Sequence, residues 1–200
     1  MRIATPNGMI KYIFIELWIL VMNMLNKNNN PILLNYVINY DIVEEKKRGV
    51  KNMIAIGCDH GGFKLKEEIK KYFDETDISY EDCGCYSEES VHYPDIAKNV
   101  SEKVSKNECD KGILICRSGI GMSIVANKFK GVRCAKVNSQ EEAKFSRMHN
   151  DSNILALGAD YNSVDEIIRI IRVWIATDFE GGRHKDRVDM IKKIENENMK

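Results

Sequence analysis

The sequence has no excess of either charge: 30 Lys and Arg residues balance 30 Asp and Glu residues over 200 positions, so the formal net charge is zero. Proteins that bind nucleic acids or anionic membranes use clustered positive charge. We therefore expect neither a nucleic acid nor a membrane as a partner. The hydrophobic content of 44% is enough for one well-buried core, and the chain is too short to need two domains.

The cysteines lack the spacing of a zinc site and the density of a disulfide scaffold. The six cysteines include no CxxC pair, and Cys83-Gly-Cys85 is one residue short of that spacing, with no His or Cys cluster following it. A chain of this length also needs no disulfide staples. We interpret the cysteines as reduced thiols, which predicts a cytoplasmic protein.

The apolar stretch at residues 9–25 is too short to span a membrane. It carries Lys11 and Glu16, falls below the ~20 residues that a spanning helix needs, and lacks a small-residue cleavage site. We treat residues 1–52 as an N-terminal extension and hypothesise that they are upstream sequence read in frame, or disordered, with translation naturally starting at Met53. The alternative is a membrane-associating or signal-like leader, and mass spectrometry of the native N-terminus distinguishes the two.

Residues 53–200 alternate short apolar runs with segments of helical periodicity. The predicted strands are Met53–Gly57, Ile78–Cys83, Gly112–Cys116, Val132–Val137 and Asn153–Gly158. The runs in the third and fifth strands are apolar on both faces, as expected when helices cover a parallel sheet from both sides. This pattern predicts a doubly wound α/β domain with a five-stranded parallel sheet.

Several helix starts are marked in the sequence. Pro94 suits a first helical turn, while Ser139 and Ser163 each precede a glutamate by three residues, as in a capping box. A last helix is expected after the segment EGGRHKDR. Two helical faces are formed by apolar residues at helical spacing: Leu65, Ile69, Tyr72 and Phe73 on one, and Ile96, Val100 and Val104 on the other.

Two loops should carry the ligand site, because ligands of open α/β sheets bind at the carboxyl ends of the strands. They are GCDHGGF at residues 57–63 and CRSGIGMS at residues 116–123. The second loop does not match the motifs of a dinucleotide site, a P-loop or a cysteine phosphatase. Ile124 stands at the third glycine of a dinucleotide motif, GxxxxGK[ST] is absent, and Met122 stands where a cysteine phosphatase would place its arginine, six residues after the cysteine.

Proton transfer next to a carbonyl group fits the second loop better. A thiol near a helix N-terminus ionises more readily, and backbone N–H groups at Ser118–Gly121 could stabilise an enediolate. Cys116 is therefore a candidate base. From these residues alone, a buried structural cysteine at a strand end is an equally good interpretation.

The rest of the chain resembles the ribose-5-phosphate isomerase B family, which includes the galactose-6-phosphate isomerase subunits of lactose operons. The shared motifs, in order, are GCDHGGFKLKE, YPDIA, GILIC.SGIGMSI.ANK..G.R, SRMHNDSNILALGA and EGGRH..RV. They run from Met53 to about Ile194. The resemblance implies a Rossmann-like three-layer α/β/α sandwich and a sugar-phosphate isomerase that uses no metal or organic cofactor, acting in the pentose phosphate pathway. It also implies a homodimer or dimer of dimers in which a neighbouring subunit completes each active site.

The resemblance also implies roles for single residues. Cys116 would be the base that moves a proton between C2 and C1, and Ser118 would assist it. His149 would open the furanose ring, with Asp59 as a further catalytic partner. The implied substrate-binding residues are His60, Tyr93, Arg117, Gly119, Ile120, Gly121, Asn150, Arg183 and Arg187, the last two at a spacing that allows both to hold phosphate. We interpret His92 and His184 as surface histidines.

Arg117 departs from the family, which usually has glycine after the catalytic cysteine. Its side chain could point outward and leave ribose 5-phosphate activity intact, which we favour. It could instead reshape the pocket for allose, galactose or tetrose phosphates. A third alternative is a non-catalytic subunit that binds sugar phosphate, although the retained Cys116, His149 and Asp59 argue against it.

Overall fold

The computed structural model describes residues 53–199, so the predictions for residues 1–52 lie outside the described part. The strands are β1 Ile54–Cys58, β2 Tyr80–Asp82, β3 Lys111–Cys116, β4 Cys134–Lys136 and β5 Ile154–Gly158. They form one sheet in the order β2-β1-β3-β5-β4, and every neighbouring pair is parallel. The predicted five-stranded parallel sheet is confirmed.

Helices cover both faces of this sheet and complete the predicted α/β/α sandwich. They are α1 Phe63–Glu75, α2 Tyr93–Ser105, α3 Ile120–Ala126, α4 Gln140–Asn150, α5 Val164–Ala176 and α6 Arg183–Asn198. Helices α2 and α3 pack together on one face, whereas α5 packs against both α1 and α4, and α6 packs on α4. In residues 53–199, no helix is long and apolar enough to cross a membrane.

The three central strands carry the core. Every residue of β1 and β5 is buried, as is β3 after Lys111, because these strands are covered by helices on both faces. The edge strands β2 and β4 have three residues each and are only partly buried. Both are shorter than predicted, since an edge strand pairs on one side only and its apolar flanks join the loops.

Side chains of neighbouring parallel strands alternate between the two faces in register. Ala55, Leu114 and Cys116 belong to the core cluster beneath α2 and α3. Cys58 is three residues from Ala55 on the same strand, so its side chain lies on the opposite face. The carboxyl ends of β1 and β3 therefore each present a cysteine, but to different layers of helices.

The sequence located most helix starts. Ser139 and Ser163 accept hydrogen bonds from the backbone N–H groups of Glu142 (3.2 Å) and Glu166 (3.3 Å) and so cap α4 and α5. The expected start of the last helix was wrong. Helix α6 begins at Arg183, inside EGGRHKDR, because Gly182 adopts a positive φ of 53° and turns the chain directly into the helix.

Candidate active site

The loop after β3 directs a backbone N–H group at a thiol. Cys116 ends β3 and is buried, and the N–H of Gly119 donates a hydrogen bond to its Sγ at 3.0 Å. This donor stabilises a negatively charged sulfur more than a neutral one. Gly119 has a φ of 75°, and a Cβ there would lie 3.0 Å from the backbone carbon of Leu157. The turn that aims the donor therefore requires glycine.

The same loop continues into the first turn of α3. The Ser118 hydroxyl accepts a hydrogen bond from the N–H of Ile120 at 3.3 Å, and the Ile120 side chain is half exposed. A Cβ on Gly121 would lie only 2.7 Å from the ring of Tyr93, at the start of α2. Tyr93 therefore lies against the loop, and the backbone of Gly121 leaves room for its ring.

The loop after β1 lies at the same edge of the sheet. Asp59 is buried, accepts a hydrogen bond from the N–H of Gly62 at 3.1 Å, and donates its own N–H to the carbonyl of Ile115 at 3.1 Å. The Nδ1 atom of His60 accepts from the N–H of Val91 at 3.4 Å. In a neutral imidazole, that bond leaves the proton on Nε2. This loop thus supplies a carboxylate and an imidazole N–H donor.

The Arg117 side chain runs outward along the rim. A Cβ on Gly61 would lie 2.7 Å from Cγ of Arg117, so the aliphatic stem rests over the loop after β1. Its Nη1 atom lies 3.9 Å from Oδ2 of Asp160, and 74% of the side chain is exposed. The N–H of Asp160 also donates to the carbonyl of Arg117 at 3.1 Å. This is the outward orientation among the two that the sequence left open.

The remaining predicted residues lie on α4 and α6. His149 and Asn150 end α4, while Arg183 and Arg187 lie one turn apart on α6 and are exposed. The Nε2 atom of His149 lies 3.8 Å from Oε2 of Glu180. The backbone N–H of Glu180 donates to the carbonyl of Met148 at 3.1 Å, which fixes the segment before α6 against the end of α4.

His184 is buried, so its interpretation as a surface histidine was wrong. Together with Val188, one turn away, it forms the buried face of α6. Its ring stacks on that of His149 with centroids 4.2 Å apart and planes 7° apart. Burial lowers the pKa of His184 below its ordinary value, and the neighbouring His149 and Arg183 act in the same direction. His92 is exposed, as predicted.

The predicted site residues fall into two groups, one beyond the carboxyl ends of the strands and the other beyond their amino ends. Asp59, His60, Tyr93 and residues 116–121 follow the carboxyl ends of strands and form what we call the carboxyl-edge group. Helix α4 runs back across the sheet and ends just before Ile154, the first residue of β5, whereas Cys116 pairs with Gly158 at the other end. Four strand steps separate these ends, or about 13 Å.

The second set forms the amino-edge group, which comprises His149, Asn150, Arg183 and Arg187. Because it lies at the other edge, one chain alone does not bring His149 to Cys116. The sequence motifs named both groups, and the order of strands and helices accounts for their separation.

A cluster of side chains that could bind a metal ion lies beside the amino-edge group. One ligand atom each from His149, Glu180 and His184 lie within 4.8 Å of one another. The two imidazole rings are nearly parallel, however, so their lone pairs do not converge on one point. The Nε of Arg183 also donates to Nε2 of His184 at 3.5 Å, which occupies the lone pair that a metal would need. The arrangement as it stands does not fit a metal ion.

Comparisons with known proteins agree with these features. The profile of a family described as Ribose/Galactose Isomerase matches residues 54–191. Ribose-5-phosphate isomerase B of Escherichia coli K12 is 43% identical over 142 residues, which cover 71% of this chain and 95% of that protein. The match therefore extends over nearly the whole relative.

Solved structures are similar over the same part of the chain. Ribose-5-phosphate isomerase B of Clostridium thermocellum has a TM-score of 0.71 and 44% identity, covering 72% of this chain and 98% of that one. The enzyme of Mycoplasma genitalium, solved with bound ribulose-5-phosphate, has a TM-score of 0.70 and 38% identity, covering 73% and 97%. The described part of the chain thus shares its fold with solved structures of ribose-5-phosphate isomerase B.

Proposed function

The chain belongs to the Ribose/Galactose Isomerase family, and we propose that it interconverts ribose 5-phosphate and ribulose 5-phosphate through an enediolate, as a step of pentose phosphate metabolism. The observation that carries the proposal is the 3.0 Å hydrogen bond from the N–H of Gly119 to Cys116 Sγ. A structural thiol has no need of a donor aimed at its sulfur, whereas a base must hold negative charge before it accepts a proton.

The proposed proton transfer needs no group from outside the chain. The Cys116 thiolate takes the proton from C2 of the open-chain aldose, the electron pair of that C–H bond forms the C1–C2 double bond, and the C1 carbonyl oxygen becomes negative. The Cys116 thiol then returns the proton to C1, while the C2 hydroxyl loses its proton and becomes the ketone. Ser118, two residues away, would carry the proton between the two oxygens.

Ribose 5-phosphate reaches the site mainly as a closed furanose, so the ring must open first. In our proposal His149 exchanges the protons of this step, Asp59 and His60 hold the sugar hydroxyls, and Arg183 and Arg187 hold the phosphate. These groups lie at both edges of the sheet. We therefore propose a homodimer, or a dimer of dimers, in which the carboxyl-edge group of one copy meets the amino-edge group of its partner.

An apolar surface next to the carboxyl-edge group supports this assembly. Ile120 and Ile124 lie one turn apart on α3 and are 51% and 58% exposed. Exposed apolar side chains beside a site that lacks half of its residues are suited to a subunit contact.

Mixing two inactive variants tests the shared site. A dimer that pairs a Cys116→Ala chain with a His149→Asn chain contains one site with both changes and one with neither. Random pairing should therefore restore about a quarter of the parent activity when the two variants are refolded together. Activity that stays at the level of the separate variants would show that each chain uses its own His149.

The substrate assignment is tested on the full chain by kcat/KM for ribose 5-phosphate. The Arg117 side chain extends toward Asp160 and is 74% exposed, which favours the pentose phosphate over a reshaped pocket. We expect saturable turnover that is lost in Cys116→Ala. Turnover of allose or galactose 6-phosphate with none of ribose 5-phosphate would instead assign the chain to another sugar within the family.

A further inference from the structure

Three aromatic rings form a continuous stack beside the amino-edge group. The ring of His149 lies between Phe145, with centroids 4.9 Å apart and planes at 17°, and His184, at 4.2 Å and 7°. Phe145 lies one turn before His149 on α4, whereas His184 comes from α6. Both faces of the His149 ring are therefore covered, which leaves the ring little freedom to turn about its Cβ–Cγ bond.

The stack differs on its two sides. Phe145 is 41% exposed and covers the ring from the solvent side, whereas His184 is 4% exposed and is held in the packing of α6 on α4. Arg183 donates its Nε–H to Nε2 of His184 at 3.5 Å, so a neutral His184 carries its proton on Nδ1. The inner ring thus has one position and one tautomer.

The charge on His184 determines whether the Glu180 carboxylate interacts with His184 or with His149. Oε2 of Glu180 lies 3.8 Å from Nε2 of His149 and 3.7 Å from Nε2 of His184. A protonated His184 would compete for this carboxylate and repel a protonated His149. Burial and the nearby Arg183 lower the pKa of His184 and so keep it neutral at pH 7, which leaves Glu180 to His149.

We propose that His184 is a positioning residue for ring opening: its buried, neutral ring fixes the plane of His149 and leaves the Glu180 carboxylate to that ring. The inference rests on the proposed function, since it assigns a support to the residue that opens the furanose. It adds a residue that touches no substrate and acts only through His149.

Exchange of the C1 proton of ribulose 5-phosphate with D2O separates this role from a structural one. The equilibrium constant fixes the ratio of kcat/KM in the two directions, so a misplaced His149 slows interconversion equally in both. Proton transfer between ribulose 5-phosphate and the enediolate involves no ring step, because the C5 oxygen of this sugar carries the phosphate and the sugar cannot close to a furanose. A misplaced His149 therefore slows interconversion more than proton exchange, whereas a distorted fold slows both.

The decisive variants are His184→Gln, which keeps an acceptor for Arg183 but removes the ring, and His184→Phe, which keeps a ring in the stack. For His184→Gln we expect kcat for interconversion to fall about tenfold, KM to hold, and exchange of the C1 proton of ribulose 5-phosphate with D2O to change less than about twofold. His184→Phe should restore the rate of interconversion to within about threefold of the parent. Lys192→Ala, an exposed change on the same helix, is the matched control.

Equal losses of interconversion and of C1 proton exchange, or no loss in His184→Gln, would overturn the proposal. Phe145→Leu removes the other cover of His149 and should give a smaller loss of interconversion, with proton exchange again retained, so the test stands even if His184→Phe does not fold. Thermal melting of each variant identifies such a failure. The proposed function is tested by the parent enzyme alone. If the parent does not interconvert the two sugar phosphates, the proposed function fails, whereas a parent that does so allows the His184 variants to be compared with it.

Discussion

Cys58 and Cys116 end the neighbouring strands β1 and β3, and both are buried, yet their sulfur atoms have opposite surroundings. The thiol of Cys58 donates to the carbonyl of Cys85 at 3.9 Å, and burial raises the pKa of Cys58 to about 12. The sulfur of Cys116 accepts from the N–H of Gly119 at 3.0 Å. Their side chains also point to different faces of the sheet.

The direction of the hydrogen bond is what distinguishes the two sites. A thiol that donates keeps its proton, so Cys58 behaves as a small apolar residue of the core. A sulfur that accepts can hold charge. Because the strand ends are alike, the difference comes from the loops: Gly119 turns the chain so that its N–H faces back to Cys116, and Asp59 turns the β1 loop so that Gly62 faces a carboxylate.

The largest expected effect is the difference in activity between variants that lack one sulfur or the other. Cys116→Ala should lower kcat for ribose 5-phosphate by about 10²–10⁴-fold, the usual contribution of a general base. Cys58→Ala should lower it less than about threefold and mainly reduce thermal stability through the small cavity that it leaves. Comparable losses of kcat in both folded variants would remove the distinction between the two cysteines.

The rate of alkylation should distinguish the same two thiols in the absence of substrate. Because burial raises the pKa of Cys58 to about 12, its thiol stays protonated at pH 8. We expect iodoacetamide to label Cys116 at least about a hundredfold faster than Cys58, measured by peptide mass spectrometry. Cys83, whose pKa burial also raises to about 12, is an internal control that should stay unlabelled with Cys58. Earlier labelling of Cys58 would contradict this order.

Moving the donor should have an intermediate effect. Gly119→Ala places a Cβ 3.0 Å from the backbone of Leu157 at a φ of 75°, so the turn must shift and the N–H leaves Cys116. We expect kcat to fall about tenfold to a hundredfold with little change in KM, which is less than the roughly 10²–10³-fold loss on removing an oxyanion-hole donor, because the other N–H groups of the loop remain. Gly131→Ala is the control, since it also has a positive φ of 80° but nothing lies within 4 Å of its Cβ.

Arg117→Gly should have the smallest effect. The exposed ion pair with Asp160 contributes little to stability, and the side chain extends over Gly61 toward Asp160. We expect kcat/KM for ribose 5-phosphate to change less than about threefold. A larger rise in turnover of a hexose phosphate would mean that Arg117 limits the size of the sugar.

The sequence predicted the central strands well because they are apolar on both faces, and it predicted helix starts where a serine caps the first turn. It failed for His184, which stands in the charged segment GRHKDR and looks exposed. Only the packing of α6 on α4 buries it. The orientation of Arg117 could not be predicted either. Its stem lies where a side chain at position 61 would be, and Gly61 belongs to a loop that is distant in the sequence.

The N–H of Gly119 has one further consequence for the energy of the reaction. In the proposed reaction this N–H faces a charged sulfur before proton transfer and a neutral thiol afterwards, when the negative charge lies on the sugar oxygen. A donor held by the backbone is oriented before the reaction begins, so no water has to reorient around the moving charge. The loop would then lower the reorganisation energy of each proton transfer.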